Sequence, residues 1–364
     1  MPMNKNFPNE CKILFATLFL LLLMSFLGQY SAFGGQLEGS TLQHAGRIVI
    51  GLVVMCGVYT VNFRFWNNFA YLFYAFIFAS LIAVDLAGTV KLGAKRWVDL
   101  YFFTFQPSEP MKLALILALA RYYSPLSQFE VEQLRSHTLP VLFTILPVVL
   151  VLRQPDLGTA VLLAAAGCCM IFLSGFPLKT FVAIIASFVV LCPFGWFFLH
   201  DYQKNRILTF IDPDRDQLGM GYHILQSKIA IGSGRLWGRG FLQGTQSKLD
   251  FLPEKNTDFI FTTISEEFGF AGAVLILLLF LALCSYFFWV ASESRTKFSK
   301  LTCYGLGISL FLHVFVNISM VMGVLPVVGV PLPFLSYGGS SMISFMISCG
   351  LVIAASGQKR VVST

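Results

Sequence analysis

Three stretches of this chain bring together side chains able to do chemistry. In DFLPEKNTDFIF (250–261), Asp258 sits where a polar segment enters the apolar run Phe259–Ile260–Phe261. A carboxylate at such a water–membrane boundary, partly desolvated by Phe259 and Phe261, can take a proton from a hydroxyl. The plainer role is that Thr257 or Asp258 caps the helix that follows. The two roles oppose each other, because a helix N-terminus favours the ionised carboxylate and desolvation disfavours it.

The second stretch, AKRWVDLYFFTFQPSEPMK (94–112), sets Arg96 and Lys112 on either side of an aromatic run. Pro107 to Pro110 read as a helix start with Ser108 as N-cap, and Glu109 and Lys112, three apart, share a helix face. With Lys91 and Lys95 nearby, these cations could line an anion-binding cavity, and the pair Glu109–Lys112 could equally be structural. The third stretch, GVLPVVGVPLPFLSYGGSS (323–341), is apolar but barred from continuous helix by Pro326, Pro331 and Pro333. At membrane depth such backbone must be buried in protein or line a cavity. Gly338, Gly339 and Ser340 can then start another helix. His313 and Asn317, four apart on the preceding helix, share a face and serve either interhelical hydrogen bonding or a polar pathway. Two other patterns fail. Asp212, Asp214 and Asp216 lack the glycine of a calcium loop, and GSGRLWGRG (232–240) follows no buried strand and is no phosphate-binding turn.

The elements that must position these residues follow from composition. Of 364 residues, 56% are hydrophobic and 12% charged, with a mean hydropathy of +0.75. A soluble domain carries about 25% charged residues, so a soluble enzyme is excluded. The expected fold is all-α and polytopic, one membrane domain over 1–364, with about ten spans at roughly 12–28, 46–63, 68–87, 109–123, 137–152, 158–175, 179–199, 259–291, 302–325 and 338–356. The first apolar stretch reads as a retained span, because no small-residue cleavage site follows it. The formal net charge is +7. Basic residues of the short loops place both termini in the cytoplasm. Residues 200–258 then form a large extracytoplasmic loop between spans seven and eight, in which Tyr222–Gly234 reads as an interfacial helix. The eight cysteines show no CxxC spacing and read as small buried hydrophobes.

Taken together, RW (96–97), QPSE with Lys112, QPDLGTA (154–160), LGMGY (218–222), AIGSG (230–234), FLPE with TDFIF (251–261), EEFG (266–269) and PLPFLSYGGSS (331–341) resemble the SEDS family of shape, elongation, division and sporulation proteins. The match runs in order along nearly the whole chain, and GTQS (244–247) and QPDLGTA are closer to the elongation-type members than to the division-type ones. The resemblance implies a peptidoglycan glycosyltransferase that polymerises lipid II on the outer face of the bacterial cytoplasmic (inner) membrane, among membrane lipids and beside a class B penicillin-binding transpeptidase. It makes Asp258 the essential residue of the large loop. It also puts Asn256 where the family usually has His and Arg235 where it usually has Gly. The chemistry would be attack of a sugar 4-hydroxyl on the anomeric carbon of a lipid-linked donor, with pyrophosphate leaving. Such a reaction needs a general base, for which Asp258 fits, and cations at the leaving group. Arg96, Lys112 and Lys228 are the candidates, with a divalent cation (Mg or Mn) as a possible helper, no all-protein metal site and no organic cofactor. Arg96, Trp97, Gln106, Glu109, Lys112, Lys228, Glu254 and Thr257 are the expected substrate-contacting residues, and nucleic acid is not an expected partner. Two other classes remain: a flippase or transporter of lipid-linked sugars, which would need polar groups along a continuous path, and a non-catalytic scaffold activating a transpeptidase.

Overall fold

The computed structural model describes residues 9–37, 39–91, 94–99, 104–195, 197, 201–216, 219–248 and 254–357. In chain order, α1 (Asn9–Ala32), α2 (Ser40–Thr60) and α3 (Phe63–Ala87) precede three short strands, β1 (Thr89–Lys91), β2 (Ala94–Asp99) and β3 (Thr104–Phe105). Then come α4 (Ser108–Tyr123), the short α5 (Gln128–Glu132), α6 (Thr138–Arg153), α7 (Leu157–Leu173) and α8 (Leu178–Gly195). The polar segment holds α9 (Asp201–Ile211), α10 (Met220–Ser233) and α11 (Thr245–Lys248), and α12 (Ile260–Glu293), α13 (Lys297–Val321) and α14 (Gly339–Gly357) complete the bundle. Among the described residues, seven stretches are long and apolar enough to cross a membrane: α1, α2, α3, Leu134–Arg153 around α6, α12, α13 and α14. Each of the ten expected spans coincides with a helix, but α4, α7 and α8 fall outside that group of seven.

One expectation needs correction and two gain detail. The helical fold also carries a small antiparallel β1–β2–β3 meander, in which Val90 pairs with Lys95 and Val98 with Phe105. These strands are too short for a two-residue hydrophobic period to stand out. Ser108 is the first helical residue and not the cap, since Pro107 occupies that position without a side-chain cap bond. The eighth span is one 34-residue helix interrupted at Gly269. The expected locations of residues 1–8 and 358–364, and of Phe251–Pro253 in the FLPE motif, lie outside the described residues.

Helix α4 is the centre. Every residue from Met111 to Ala120 is buried, and the helix packs against α3, α6, α7, α13 and α14. Because hydrocarbon gives little drive for helix association, such contacts rest on close packing and interhelical hydrogen bonds. At one end of the bundle, Lys297 Nζ donates to the Leu126 carbonyl at 2.7 Å, Gln128 to that of Gly175 at 3.1 Å, and Phe63 packs on Phe298. At the other end gather the ends of α1, α6 and α13, the starts of α2, α4, α7, α12 and α14, and the segment 323–338.

The polar segment is fastened to that second end by an exchange of backbone bonds. In an unbroken helix Phe270 and Ala271 would donate to the carbonyls of Glu266 and Glu267. Here Phe270 N donates to the Arg235 carbonyl (2.8 Å) and Ala271 N to that of Leu236 (3.1 Å). The carbonyls of Glu266 and Glu267 accept instead from Arg239 N (3.0 Å) and Gly240 N (3.1 Å). The break therefore leaves none of those four groups unpaired, as backbone at membrane depth requires. Glu266 adds a side-chain tie, accepting from Thr245 Oγ1 (3.1 Å) and Gln246 N (3.0 Å).

Candidate functional site

Asp258 lies in the turn just before α12, and it does not cap that helix: the N-cap is Phe259, with no side-chain cap bond. The structure thus removes the cap reading. Among the described residues the Asp258 carboxylate accepts no hydrogen bond, whereas the backbone carrying it is gripped at three successive carbonyls. That of Asn256 accepts from Gln29 Nε2 and Tyr337 N, each at 2.8 Å, and that of Thr257 from Ser336 Oγ at 2.7 Å. The carbonyl of Asp258 accepts from Asn317 Nδ2 at 2.9 Å. Inside the turn, Phe259 N donates to the Glu254 carbonyl and Thr257 Oγ1 to Glu254 Oε2 at 2.7 Å. Gln29 of α1, Asn317 of α13 and the proline-broken segment before α14 thus fix one short turn.

The carboxylate is walled by the same segment. Gly329 has φ +73°, and a Cβ placed there would meet Asp258 Oδ2 at 3.5 Å and nothing else. A larger side chain would fill the space beside that oxygen, which glycine leaves open. Asp258 keeps a partly exposed surface but lies deep among protein atoms. Burial, with the like charges of Glu254 and Asp156, raises its pKa to about 7, and Arg206 and Arg96 pull the other way. Asp156 caps α7 through Thr159 N and accepts from Gln106 Nε2 at 3.2 Å. Arg96 donates from Nε to the Gln154 carbonyl at 3.1 Å and from Nη2 to that of Pro155, and Arg206 Nη1 reaches the Val328 carbonyl at 3.4 Å. Two cations and two further carboxylates therefore share one end of the bundle around an aspartate whose pKa is raised to about 7.

Residues 9–361 match the FtsW/RodA/SpoVE family, described as cell cycle proteins. The chain belongs to that family. Peptidoglycan glycosyltransferase MrdB of Escherichia coli (strain K12) is 42% identical over 350 residues, spanning 95% of this chain and 93% of its own. Stage V sporulation protein E of Bacillus subtilis is 35% identical, spanning 85% of each. Among solved structures, a chain described under structural coordination of polymerization and crosslinking by a peptidoglycan synthase complex superposes with a TM-score of 0.83 at 28% identity, covering 96% of this chain and 98% of its own. The rod shape determining protein RodA of Thermus thermophilus, at 24% identity and TM-score 0.73 over 99% of both chains, shares the fold. The chain is thus a multi-pass membrane protein of the FtsW/RodA/SpoVE fold.

Within that fold the remaining expected residues separate into two groups. Gln106, Glu254, Thr257 and Arg96 are drawn together around Asp258, and Trp97 follows Arg96 on β2. Lys112 is not: only 4% exposed on α4, it donates to Glu109 Oε1 at 2.8 Å and meets His313 Nε2 at 2.5 Å. A cation so enclosed is a fixture of the bundle rather than a group offered to an anion. Lys228 is exposed on α10, which packs on α12. Asn256 has its Oδ1 buried without a partner among the described residues. Arg235 adopts φ +51°, a left-handed conformation that favours glycine. Arg206 and Gln29 have no distinguishing local pattern, and Asp156, although it lies within QPDLGTA, carries no local sign that it approaches Asp258. His223 was likewise missed; its ring tilts against Phe259 at 6.4 Å, and burial lowers its pKa against the pull of Asp216 and Glu254.

Proposed function

We propose that this protein is a peptidoglycan glycosyltransferase that polymerises lipid II on the outer face of the bacterial cytoplasmic membrane during elongation, with Asp258 as general base and both termini cytoplasmic. The observation that carries the reading is the Asp258 carboxylate itself, held off the helix cap, with proton affinity near neutrality and open space beside Oδ2. A base works best with a pKa near the operating pH, and such proton transfer contributes about 10²–10⁴ in rate. Asp258 takes the proton of the acceptor sugar's 4-hydroxyl as that oxygen attacks the donor's anomeric carbon. The carbon–oxygen bond to pyrophosphate breaks, and its negative charge develops beside Arg96 and Arg206. A carboxylate and a guanidinium pair at one site therefore serve the two ends of the same displacement.

The donor set does not form an all-protein metal cage. Among the described residues no three His, Cys, Asp or Glu side chains are placed to hold an ion. Both Asp156 oxygens and Glu254 Oε2 already accept hydrogen bonds. No step is therefore routed through magnesium or manganese, and the pyrophosphate charge is assigned to the arginines. The match to a synthase-complex chain supports a class B transpeptidase as partner.

The direct test is to incubate the purified protein, alone and with a cognate transpeptidase, with labelled lipid II. Glycan polymer is expected. Stimulated crosslinking or lipid II movement across vesicles with no polymer in either arm would favour the scaffold or flippase instead. Orientation has its own test. A cysteine at Gln243, exposed in the loop, should react with an impermeant maleimide in intact spheroplasts, and labelling only after permeabilisation overturns the topology. Arg96→Gln should lower polymerisation more than it lowers folding, because a lost charge contact to phosphate in a partly desolvated site is costly. It should also move the acid limb of the rate–pH profile upward, since Arg96 holds the Asp258 pKa down. Wild-type turnover with an unmoved limb would take Arg96 out of the site.

A further inference from the structure

Asn317 sits four residues beyond His313 on α13, fully buried, at the point where the Asp258 turn meets the non-helical segment. Its one amide nitrogen serves two carbonyls, that of Asp258 at 2.9 Å and that of Val330 at 2.7 Å. Two acceptors fix the orientation of the amide, because turning it over would set its oxygen against both. Val330 follows Gly329, whose missing side chain leaves the space beside Asp258 Oδ2. Asn317 is therefore the one side chain among the described residues that hydrogen-bonds both the residue bearing the carboxylate and the segment that walls it. The register of α13 is set one turn deeper, where the His313 ring is held between Lys112 Nζ and the Ser309 carbonyl at 2.6 Å.

We infer that Asn317 is a positioning residue, which sets the spacing between the Asp258 carboxylate and the Gly329–Val330 wall and so keeps the attacking hydroxyl's place open while holding bulk water back. The inference rests on Asp258 being the base, and it adds the group that makes that base competent. Thr257, one residue earlier, is held by Ser336 from within the same broken segment. Losing that bond loosens the turn without freeing either of the two carbonyls that Asn317 joins. Around the carboxylate stand Glu254 on its own turn, Asp156 at the start of α7, Arg206 on α9 and Arg96 on β2. None of these is altered by a change at Asn317, so a shift in Asp258 titration in an Asn317 variant reports spacing and solvent entry.

The test uses full-length protein in lipid nanodiscs with its transpeptidase. Two readouts are taken, steady-state polymerisation against pH and the titration of the Asp258 carboxyl by isotope-edited infrared spectroscopy, assigned by its absence in Asp258→Asn. Asn317→Leu keeps the volume and removes the donors. It should lower kcat about 10²-fold, as displacement of a catalytic group by about 1 Å does, with KM little changed. The carboxyl titration and the acid limb should both move down by about one pH unit as water reaches the group. Ser336→Ala should lower thermal stability and leave the titration in place. If Asn317→Leu does not fold, Asn317→Thr, with a single hydroxyl donor, should show the same shift at smaller size. An unmoved titration in a folded Asn317 variant, or an equal shift in Ser336→Ala, overturns the assignment. A titration that shifts in Asn317→Leu while wild-type activity ignores the Asp258 midpoint upholds the positioning role and rejects Asp258 as base.

Discussion

Asp258→Asn is expected to lower glycan polymerisation by at least about 10²-fold while the protein inserts, folds and binds its transpeptidase as the wild type does. The substitution keeps size and shape and removes the proton acceptor. Since Phe259 and not Asp258 is the N-cap of α12, no helix-capping bond is lost with the carboxylate. The backbone grip by Gln29, Ser336, Tyr337 and Asn317 acts on carbonyls and is untouched by the change. Asp258→Glu retains the acid but moves it by about 1 Å, a misplacement that can itself cost about 10²-fold. The sign of the pH dependence follows from the pKa raised to about 7. Below that value the carboxyl is protonated and cannot accept a proton, so kcat/KM should climb with pH through a midpoint near 7, well above the range of an ordinary carboxylate. Near-normal polymer synthesis by Asp258→Asn, or an acid limb near pH 4 in the wild type, would end the assignment.

How much of this site the sequence shows depends on whether a residue's job is local. Asp258 is legible because its setting, a carboxylate entering Phe259–Ile260–Phe261, is written within four residues. The Glu109–Lys112 pair is legible as an i,i+3 match, yet its depth is not, because burial of α4 on all sides is a property of the helices around it. Lys112 therefore reads from sequence as an outer cation and proves to be enclosed with His313. Asp156 and Arg206 act on Asp258 from segments about a hundred and about fifty residues away in the chain. Their charges become relevant only when α7 and α9 converge on the Asp258 turn, and no spacing rule reports that. The break in α12 illustrates the same limit. Gly269 marks a place where a helix can fail, but the backbone that replaces the lost bonds comes from Arg235 to Gly240, about thirty residues earlier.

That break carries the second large expected effect. Gly269 has φ +66° and ψ −161°, a conformation open essentially to glycine alone and costing about 1–3 kcal/mol when another residue is forced into it. Space is refused as well. A Cβ at Gly269 would lie 2.2 Å from Gly238 N, 2.7 Å from the Leu236 carbonyl and 2.8 Å from that of Gly234, all backbone atoms with no rotamer to move away. Gly269→Ala must therefore displace the Gly234–Gly240 segment and with it the four bonds that replace the two helical ones. The helix has an alternative, since Phe270 and Ala271 can return to the Glu266 and Glu267 carbonyls, so α12 should survive while the loop lets go. The expected result is a protein of nearly unchanged helix content whose Arg235–Lys248 segment becomes open to limited proteolysis. Polymerisation should fall about 10²-fold or more as the Asp258 turn, ten residues from the break, loses its setting. Matched wild-type protease resistance and turnover in Gly269→Ala would mean that the loop is held by side chains such as Glu266 and not by the backbone exchange.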